Sequence, residues 1–295
     1  MRNPAPQEAN FMKTVVCIGE ILWDIYPGRR YLGGAPLNAA VHLAKLGEKP
    51  YMISAVGRDE LGRSALDQLG QLGVDTRFVA SNDRPTGTAV VHPELEGDER
   101  FDLPENAAYD LTELSEADLA ALTRLSPDAA VFGSLAQKRS KSMAESVGRL
   151  LAAMPNAEKL FDVNLRKQLY DEDIVAASIE RCGIFKLNED EVDTISLLLF
   201  DEVMPADRFA RFVFSDFPCH TVVVTRGGRG AVAYGRDDET VCADAVPVAV
   251  VDTVGAGDAF SAGYLSAWLR TRDRSAALRA GNENGARTAA HAGAF

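Results

Sequence analysis

The chain has 295 residues, 43 of them acidic and 31 basic, for a formal net charge of −12. So acidic a protein lacks the basic surface that displaces counterions from a phosphate backbone, which excludes a nucleic-acid binder. At 46% hydrophobic and 25% charged residues it reads as a soluble globular protein, and a chain of this length buries about three-quarters of its unfolded surface, enough for one large core.

No stretch approaches the ~20 apolar residues of a membrane span. Residues 1–12 are polar, without the apolar centre of a signal peptide, and are expected to form a disordered leader ahead of Lys13. Cys17, Cys182, Cys219 and Cys242 make no CxxC and, apart from a lone His220 beside Cys219, have no histidine at zinc-ligand spacing. They are expected as free thiols of a cytoplasmic protein.

In chain order, short β-branched runs alternate with amphipathic segments. Thr14–Ile18 reads as a first strand whose near-continuous apolar character suits burial on both faces. Residues 35–46 have helical spacing and stop at Gly47, 51–56 are strand-like, and 60–72 are helical up to Gly73. The alternation continues with strands at Ala129–Phe132 and 159–163 and helices at 140–154 and 174–181. Strands are predicted at 220–225 and 246–251, and a helix at 256–270. Strands separated by helices imply parallel pairing through right-handed crossovers, hence an α/β fold with a doubly wound, mainly parallel sheet flanked by helices. Residues 21–32 and 86–103 are strand-like with no intervening helix, and 96–99 read as a hairpin turn. These two stretches predict a small β-sheet standing off the main layer as a lid.

The segment Val250-Val251-Asp252-Thr253-Val254-Gly255-Ala256-Gly257-Asp258-Ala259-Phe260 reads as a buried strand running into a glycine turn and then a helix. First-turn helix amides have no intrahelical acceptor, and the helix dipole adds positive potential there. Gly255 and Gly257 let the backbone approach an anion closely, so the turn is a candidate anion hole. Asp258 is placed to take a proton from a nucleophile attacking that anion, although spacing alone allows a mere helix-dipole role. A P-loop is absent, and Gly228-Arg229-Gly230-Ala231 fits a dinucleotide fingerprint only loosely, because 231–234 alternate like a strand instead of opening a helix. The HRD and DFG triplets of protein kinases are also absent.

Gly33-Gly34-Ala35-Pro36-Leu37-Asn38-Ala39-Ala40 and Asp252-Thr253-Val254-Gly255-Ala256-Gly257-Asp258-Ala259-Phe260 resemble the two signatures of the ribokinase-like (PfkB) carbohydrate kinases. Gly19-Glu20-Ile21-Leu22-Trp23-Asp24, Gly133-Ser134-Leu135-Ala136, Phe161-Asp162-Val163-Asn164-Leu165-Arg166, Lys186-Leu187-Asn188-Glu189-Asp190-Glu191 and Val224-Thr225-Arg226-Gly227 are similar to the bacterial fructokinase branch. The resemblance spans roughly residues 13–295, in family order, as one kinase domain carrying the lid within it.

The resemblance implies a proton acceptor at Asp258 and an anion hole at the Gly255, Ala256 and Gly257 amides, which suits phosphoryl transfer, a reaction governed by positioning and charge stabilisation. It implies sugar binding at Asp24, Gly33, Gly34 and Asn38, and a contact from Arg166 to substrate or transferring phosphate. Locally, Asp24 and the glycines could be turn residues, and Arg166 could pair with Asp171 or Glu172. Asn188 and Glu191 match an NxxE linked to magnesium and phosphate, through water because Mg²⁺ gives up its waters reluctantly; Asn188 could also cap a helix. Thr225, Gly227 and Gly230 match a nucleotide-phosphate loop, Asn282 a position near the adenine, and Asp252 a monovalent-cation loop. Relatives usually run several residues past the Gly-Ala matched by Gly293-Ala294, in a tail that helps close that loop, which leaves potassium use open.

The implied activity is an ATP- and Mg²⁺-dependent sugar kinase, with fructose as the expected substrate. The alternatives are a kinase for 2-keto-3-deoxygluconate or ribose, or a sugar-binding regulator without the chemistry. The sequence leaves the oligomeric state open, although lid strands with one exposed apolar face often pair across a homodimer.

Overall fold

The computed structural model describes residues 12–92, 101–166 and 169–295. The leader up to residue 11 and the hairpin turn expected at 96–99 lie outside the described residues.

The main sheet is built from β1 (Thr14–Ile18), β4 (Lys49–Gly57), β5 (Asp75–Asn82), β8 (Ala129–Phe132), β9 (Glu158–Asp162), β10 (Ile184–Asn188), β11 (Thr221–Thr225), β12 (Ala231–Gly235) and β13 (Thr240–Ala243). Its order is β13-β12-β11-β10-β9-β8-β1-β4-β5. Every pair from β11 to β5 is parallel, and β12 and β13 close one edge as antiparallel strands. The chain leaves β1 outward through β4 and β5, then returns to β8 on the other side. The reversal lies between β1 and β8, where open α/β sheets leave a crevice at the strand carboxyl ends.

The two-sided burial read from the first strand has a plain origin. Val15 and Cys17 pack into one core with Leu37, Leu43, Phe260 and Leu265, whereas Val16 and Ile18 pack into a second with Met143, Val147, Val175, Val192 and Phe209. The first core is covered by α1 (Ala35–Lys45), α2 (Glu60–Gln71), α9 (Ala256–Thr271) and α10 (Arg274–Ala289). The second is covered by α5 (Lys141–Ala153), α6 (Glu172–Ile179), α7 (Glu189–Phe200) and α8 (Ala206–Asp216), with α3 (Glu116–Leu125) and α4 (Leu135–Arg139) at its rim. Several helices start where a side-chain oxygen accepts a first-turn amide: Asp59 from Gly62 at 2.8 Å, Ser140 from Met143 at 3.1 Å and Asp171 from Ile174 at 2.9 Å.

The small sheet comprises β2 (Leu22–Tyr26), β3 (Arg29–Gly33), β6 (Gly87–Val91) and β7 (Phe101–Asp102), in the order β3-β2-β6-β7. Both stretches that lacked a crossover helix in the sequence thus supply it. Its connection back to the main layer is fastened by Arg139. That side chain is 6% exposed and donates Nε to Asp110 Oδ1 at 2.9 Å, and Nη2 to Asp110 Oδ2 at 3.0 Å and to the Pro104 carbonyl at 2.7 Å.

One expected strand is absent. Residues 244–250 have no regular structure, and Val250 and Val251 are 65% and 64% exposed. The apolar run that suggested a buried strand before the glycine turn is instead a surface connection, held through Val251 N to the Ala289 carbonyl at 2.8 Å. Cys17, Cys182 and Cys219 are buried free thiols, and Cys242 is exposed.

Candidate active site

Four carboxyl-terminal strand ends converge with the glycine turn beneath the small sheet. There they line one cleft of about 570 Å³. Its walls include Glu20 after β1, Asp24 on β2, Gly34 and Asn38 at the start of α1, and Asn164 and Arg166 after β9. Lys186 and Asn188 on β10, Asp190 and Glu191 opening α7, Thr225 and Gly227 at the end of β11, and Gly255, Gly257 and Asp258 at the start of α9 complete it.

The turn before α9 has Gly255 at φ +74° as the N-cap residue, a left-handed conformation that glycine tolerates. The amides of Gly255 and Gly257 meet no protein acceptor among the described residues, while the Ala256 amide turns inward to the Thr253 carbonyl at 3.2 Å. The open donors therefore come from the two glycines, at the positive end of a 16-residue helix.

Asp258 is buried, and its Oδ2 accepts from Asn38 Nδ2 at 2.8 Å, across 220 residues of sequence. Burial, reinforced by the nearby Asp162 carboxylate, pushes Asp258 up to about 7 against the Asn38 hydrogen bond and the Lys186 and Arg166 cations. A carboxylate tuned near neutrality suits a proton acceptor better than a helix-dipole residue, which is stabilising only when ionised. Asn38 is itself 5% exposed, and its Oδ1 has no hydrogen-bond partner among the described residues. An orphaned buried acceptor costs about 1–3 kcal/mol unless a ligand supplies a donor.

At the end of the cleft next to the small sheet, Gly33 lies behind Asp24 and not on the cleft wall. A Cβ at Gly33 would stand 2.6 Å from Asp24 Oδ2, so this glycine makes room for the carboxylate. Gly34 has φ +119°, and a Cβ there would collide with the Glu20 carbonyl. Glu20 Oε1 accepts from the Ala35 amide at 2.8 Å, bracing the start of α1. The surface partner proposed for Arg166, Asp171, is paired with Lys138 at 2.6 Å.

At the other end, Asn188 and Glu191 form a reciprocal capping box. Asn188 Oδ1 accepts from Glu191 N at 2.8 Å, and Glu191 Oε2 accepts from Asn188 N at 2.7 Å. Glu191 Oε1 also accepts from Leu165 N at 2.9 Å. Gly230 and Asn282 lie off the cleft and brace the same backbone: Gly230, at φ +83°, packs on the Ala243 carbonyl, and Asn282 Nδ2 donates to the carbonyls of Ala243 at 3.1 Å and Asp244 at 2.9 Å. Asp252 ties the glycine turn to the chain end, accepting from Val254 N at 3.1 Å and from Gly293 N at 3.2 Å. Ala256 also stays off the cleft wall.

Among the described residues no three His, Cys, Asp or Glu side chains converge to hold a metal ion, and no helix is long and apolar enough to cross a membrane. Glu20, Asn164, Lys186 and Asp190 line the cleft without having been singled out in the sequence. For Lys186 a signal existed: a lysine inside the apolar strand Ile184–Asn188 needs a buried partner.

The chain is 31% identical over 268 residues to a fructokinase of Salmonella typhimurium, covering 84% of this chain and 82% of that protein. It is 25% identical over 256 residues to a 5-dehydro-2-deoxygluconokinase of Geobacillus kaustophilus, covering 80% and 72%. Its fold matches the crystal structure of a fructokinase double mutant from Vibrio cholerae in a form bound to fructose, ADP and potassium ion, with a TM-score of 0.82 over 96% of this chain and 94% of that one, at 23% identity. The description "pfkB family carbohydrate kinase" matches residues 12–294, from before the first strand to the turn after α10, and the chain belongs to that family of sugar phosphotransferases.

Proposed function

We propose that this ATP-dependent sugar kinase is a fructokinase, with Asp258 as the base that takes the proton of the attacking hydroxyl. The observation that carries the assignment of roles is the Asn38–Asp258 pair. One asparagine holds the carboxylate through Nδ2 and keeps a buried, unpartnered Oδ1 for a substrate hydroxyl. Sugar and base are thereby referred to a single fixed amide.

The sugar lies between Asp24, Gly34 and Asn38, whose acceptors suit vicinal hydroxyls. The nucleotide phosphates lie toward Thr225 and Gly227, and the transferring phosphoryl group sits against the Gly255 and Gly257 amides. Arg166 faces it from the end of β9. The sugar oxygen forms the new bond to phosphorus as the bond to the ADP oxygen breaks, and the hydroxyl proton passes to Asp258. Magnesium, when bound, neutralises phosphate charge. Both Glu191 oxygens already accept backbone amides, so this carboxylate and Asn188 would reach such an ion through water. Asp252 and the turn it ties down are the candidate seat of a monovalent cation.

Fructose is favoured over a sugar acid by charge. Asp24 stands on the cleft wall at the proposed sugar position, and a carboxylate there repels a substrate carboxylate. The fructokinase-like stretches at 133–136 and 162–166, and the 31% identity to the Salmonella fructokinase, support the same choice. A coupled ADP-release assay over fructose, ribose, 2-keto-3-deoxygluconate and 5-dehydro-2-deoxygluconate tests it. Fructose is expected to have the highest kcat/KM; a tenfold advantage for any other member of the panel overturns the assignment.

A further inference from the structure

Lys186 is the one cation on the cleft wall that comes from inside a buried strand. Its side chain and that of Asp162 are each 7% exposed, and its Nζ lies 3.0 Å from Asp162 Oδ1. The other oxygen of Asp162, Oδ2, accepts from Ser261 Oγ at 2.7 Å. Ser261 stands three residues after Asp258 on α9, on the same helical face. The Asp162 carboxylate is thus pinned at both oxygens, once by the helix that carries the proton acceptor and once by the lysine it aims.

The direction in which it aims Lys186 is informative. A Cβ on Gly257 would stand 3.3 Å from Lys186 Nζ, so the ammonium sits against the turn whose open amides form the anion hole. An ammonium has three donors, and among the described residues Asp162 is the only hydrogen-bond acceptor of this one. Burial works against its charge, yet the carboxylates of Asp162, Glu191 and Asp258 hold it above the ordinary lysine value, so it is a cation at any working pH.

A buried ion pair is a poor device for stability, since packed apolar side chains of similar volume are often neutral or better. This one is placed where a reaction of the kind proposed above accumulates negative charge. We propose that Lys186 is a catalytic residue: its ammonium, aimed by Asp162 at the wall of the anion hole, donates to an oxygen of the phosphoryl group in transit. It keeps its proton throughout. The bond made is sugar oxygen to phosphorus, the bond broken is phosphorus to ADP oxygen, and the hydroxyl proton goes to Asp258. The inference rests on the kinase reading of this cleft.

Lys186→Met alone would strand a buried carboxylate and can unfold the chain for that reason. The decisive variant is Lys186→Met/Asp162→Asn, which removes both charges and keeps an acceptor for Ser261. The measurements are thermal unfolding, kcat, and the dissociation constants of ADP and of ADP–aluminium fluoride, the latter with sugar. The double variant should fold and bind ADP within threefold of the parent. Its kcat should fall at least about a hundredfold, with a comparable loss of affinity for ADP–aluminium fluoride. Turnover within threefold of the parent, or an equal weakening of both ligands, would show Lys186 to be only the counter-ion of Asp162. If methionine cannot pack there, Lys186→Gln keeps a hydrogen bond to Asp162 without the charge, and the same outcomes decide. A parent that phosphorylates no sugar overturns the kinase reading itself, whereas an active parent beside an active double variant overturns only the role of Lys186.

Discussion

Replacing Asp258 by asparagine should move activity and stability in opposite directions, and both magnitudes follow from one property of the site. Burial, then the Asp162 carboxylate, raises Asp258 from the ordinary 3.8 to about 7. Between those values the folded protein holds a proton that the unfolded chain has released, so stability declines as pH rises through the window. The decline is complete above about pH 7. Linkage puts the cost of the ionised group at about 4 kcal/mol at pH 8 and about 2 kcal/mol at pH 5. The substituted amide cannot ionise, and its oxygen can still accept from Asn38. The Asp258→Asn protein should therefore gain about 2–3 kcal/mol relative to the parent on going from pH 5 to pH 8, read from urea melts without ligands. Over the same range its kcat should lie at least about a hundredfold below the parent's, because a positioned general base contributes about 10²–10⁴. Sugar and ATP dissociation constants should stay within a few-fold, since the asparagine keeps the shape of the site. A stability difference that does not change between pH 5 and pH 8, or turnover within tenfold of the parent, would refute the reasoning: the first removes the tuned carboxylate, the second its use.

Asp24→Asn should act on recognition instead, weakening sugar binding by about 1.5–3 kcal/mol in calorimetry if charge-assisted hydrogen bonds are lost, with kcat within threefold. Hydrogen exchange at saturating sugar should show added protection in 21–32 and in 86–92, as the small sheet closes over the cleft and excludes water; unchanged protection in both would rule out closure. Glu158 is pulled up by burial but held at about 2, below the ordinary 4.5, by His220, Trp268 and Arg272. Because its folded value is the lower one, its stabilisation is whole above pH 4.5 and fades toward pH 2, so Glu158→Gln should cost up to about 3 kcal/mol at pH 7 and little near pH 2 in thermal melts. Arg139→Ala leaves the Asp110 carboxylate buried without its cation and should cost about 3–5 kcal/mol in urea unfolding.

Much of this fold was legible because its local signals agree with one another. The strand at Thr14–Ile18 and the strand at Ala129–Phe132 carry apolar residues on both faces, and the structure buries both faces against separate cores. The helices predicted at 60–72, 140–154 and 174–181 are present, and their starts lie where Asp59, Ser140 and Asp171 each take up a first-turn amide. The run at 246–251 misled for a physical reason. Its valines alternate with alanine and proline in a pattern that hydrophobicity alone cannot tell from a buried strand, yet Val250 and Val251 lie at the surface. Apolar periodicity reports what could be buried; it does not say that a neighbouring strand is there to bury it.

The site was legible where chemistry forces a local backbone pattern and opaque where it depends on distant pairing. Gly255, Gly257 and Asp258 stand out as candidates because an anion hole needs glycine freedom and a helix start within four residues, and the structure has that turn and helix start. Asn38 and Asp258 are 220 residues apart, and no local property of either predicts that one amide serves the other's carboxylate. Asp162, Lys186 and Ser261 are further cases. Each alone reads as a strand-end acid, a stray lysine and a helix serine, and only the adjacency of β9, β10 and α9 makes them a chain ending at the glycine turn. On the roles proposed above, their placement accounts for how a protein with a net charge of −12 would handle a polyanionic substrate. The answer does not lie in the surface, whose long-range field opposes ATP. On those proposed roles, one fixed ammonium and two open amides act at short range and in low dielectric, where they are screened far less than the surface carboxylates. Neutralising surface acids should therefore speed ATP association at low salt, yet leave the chemical step to Lys186, the glycine amides and Asp258.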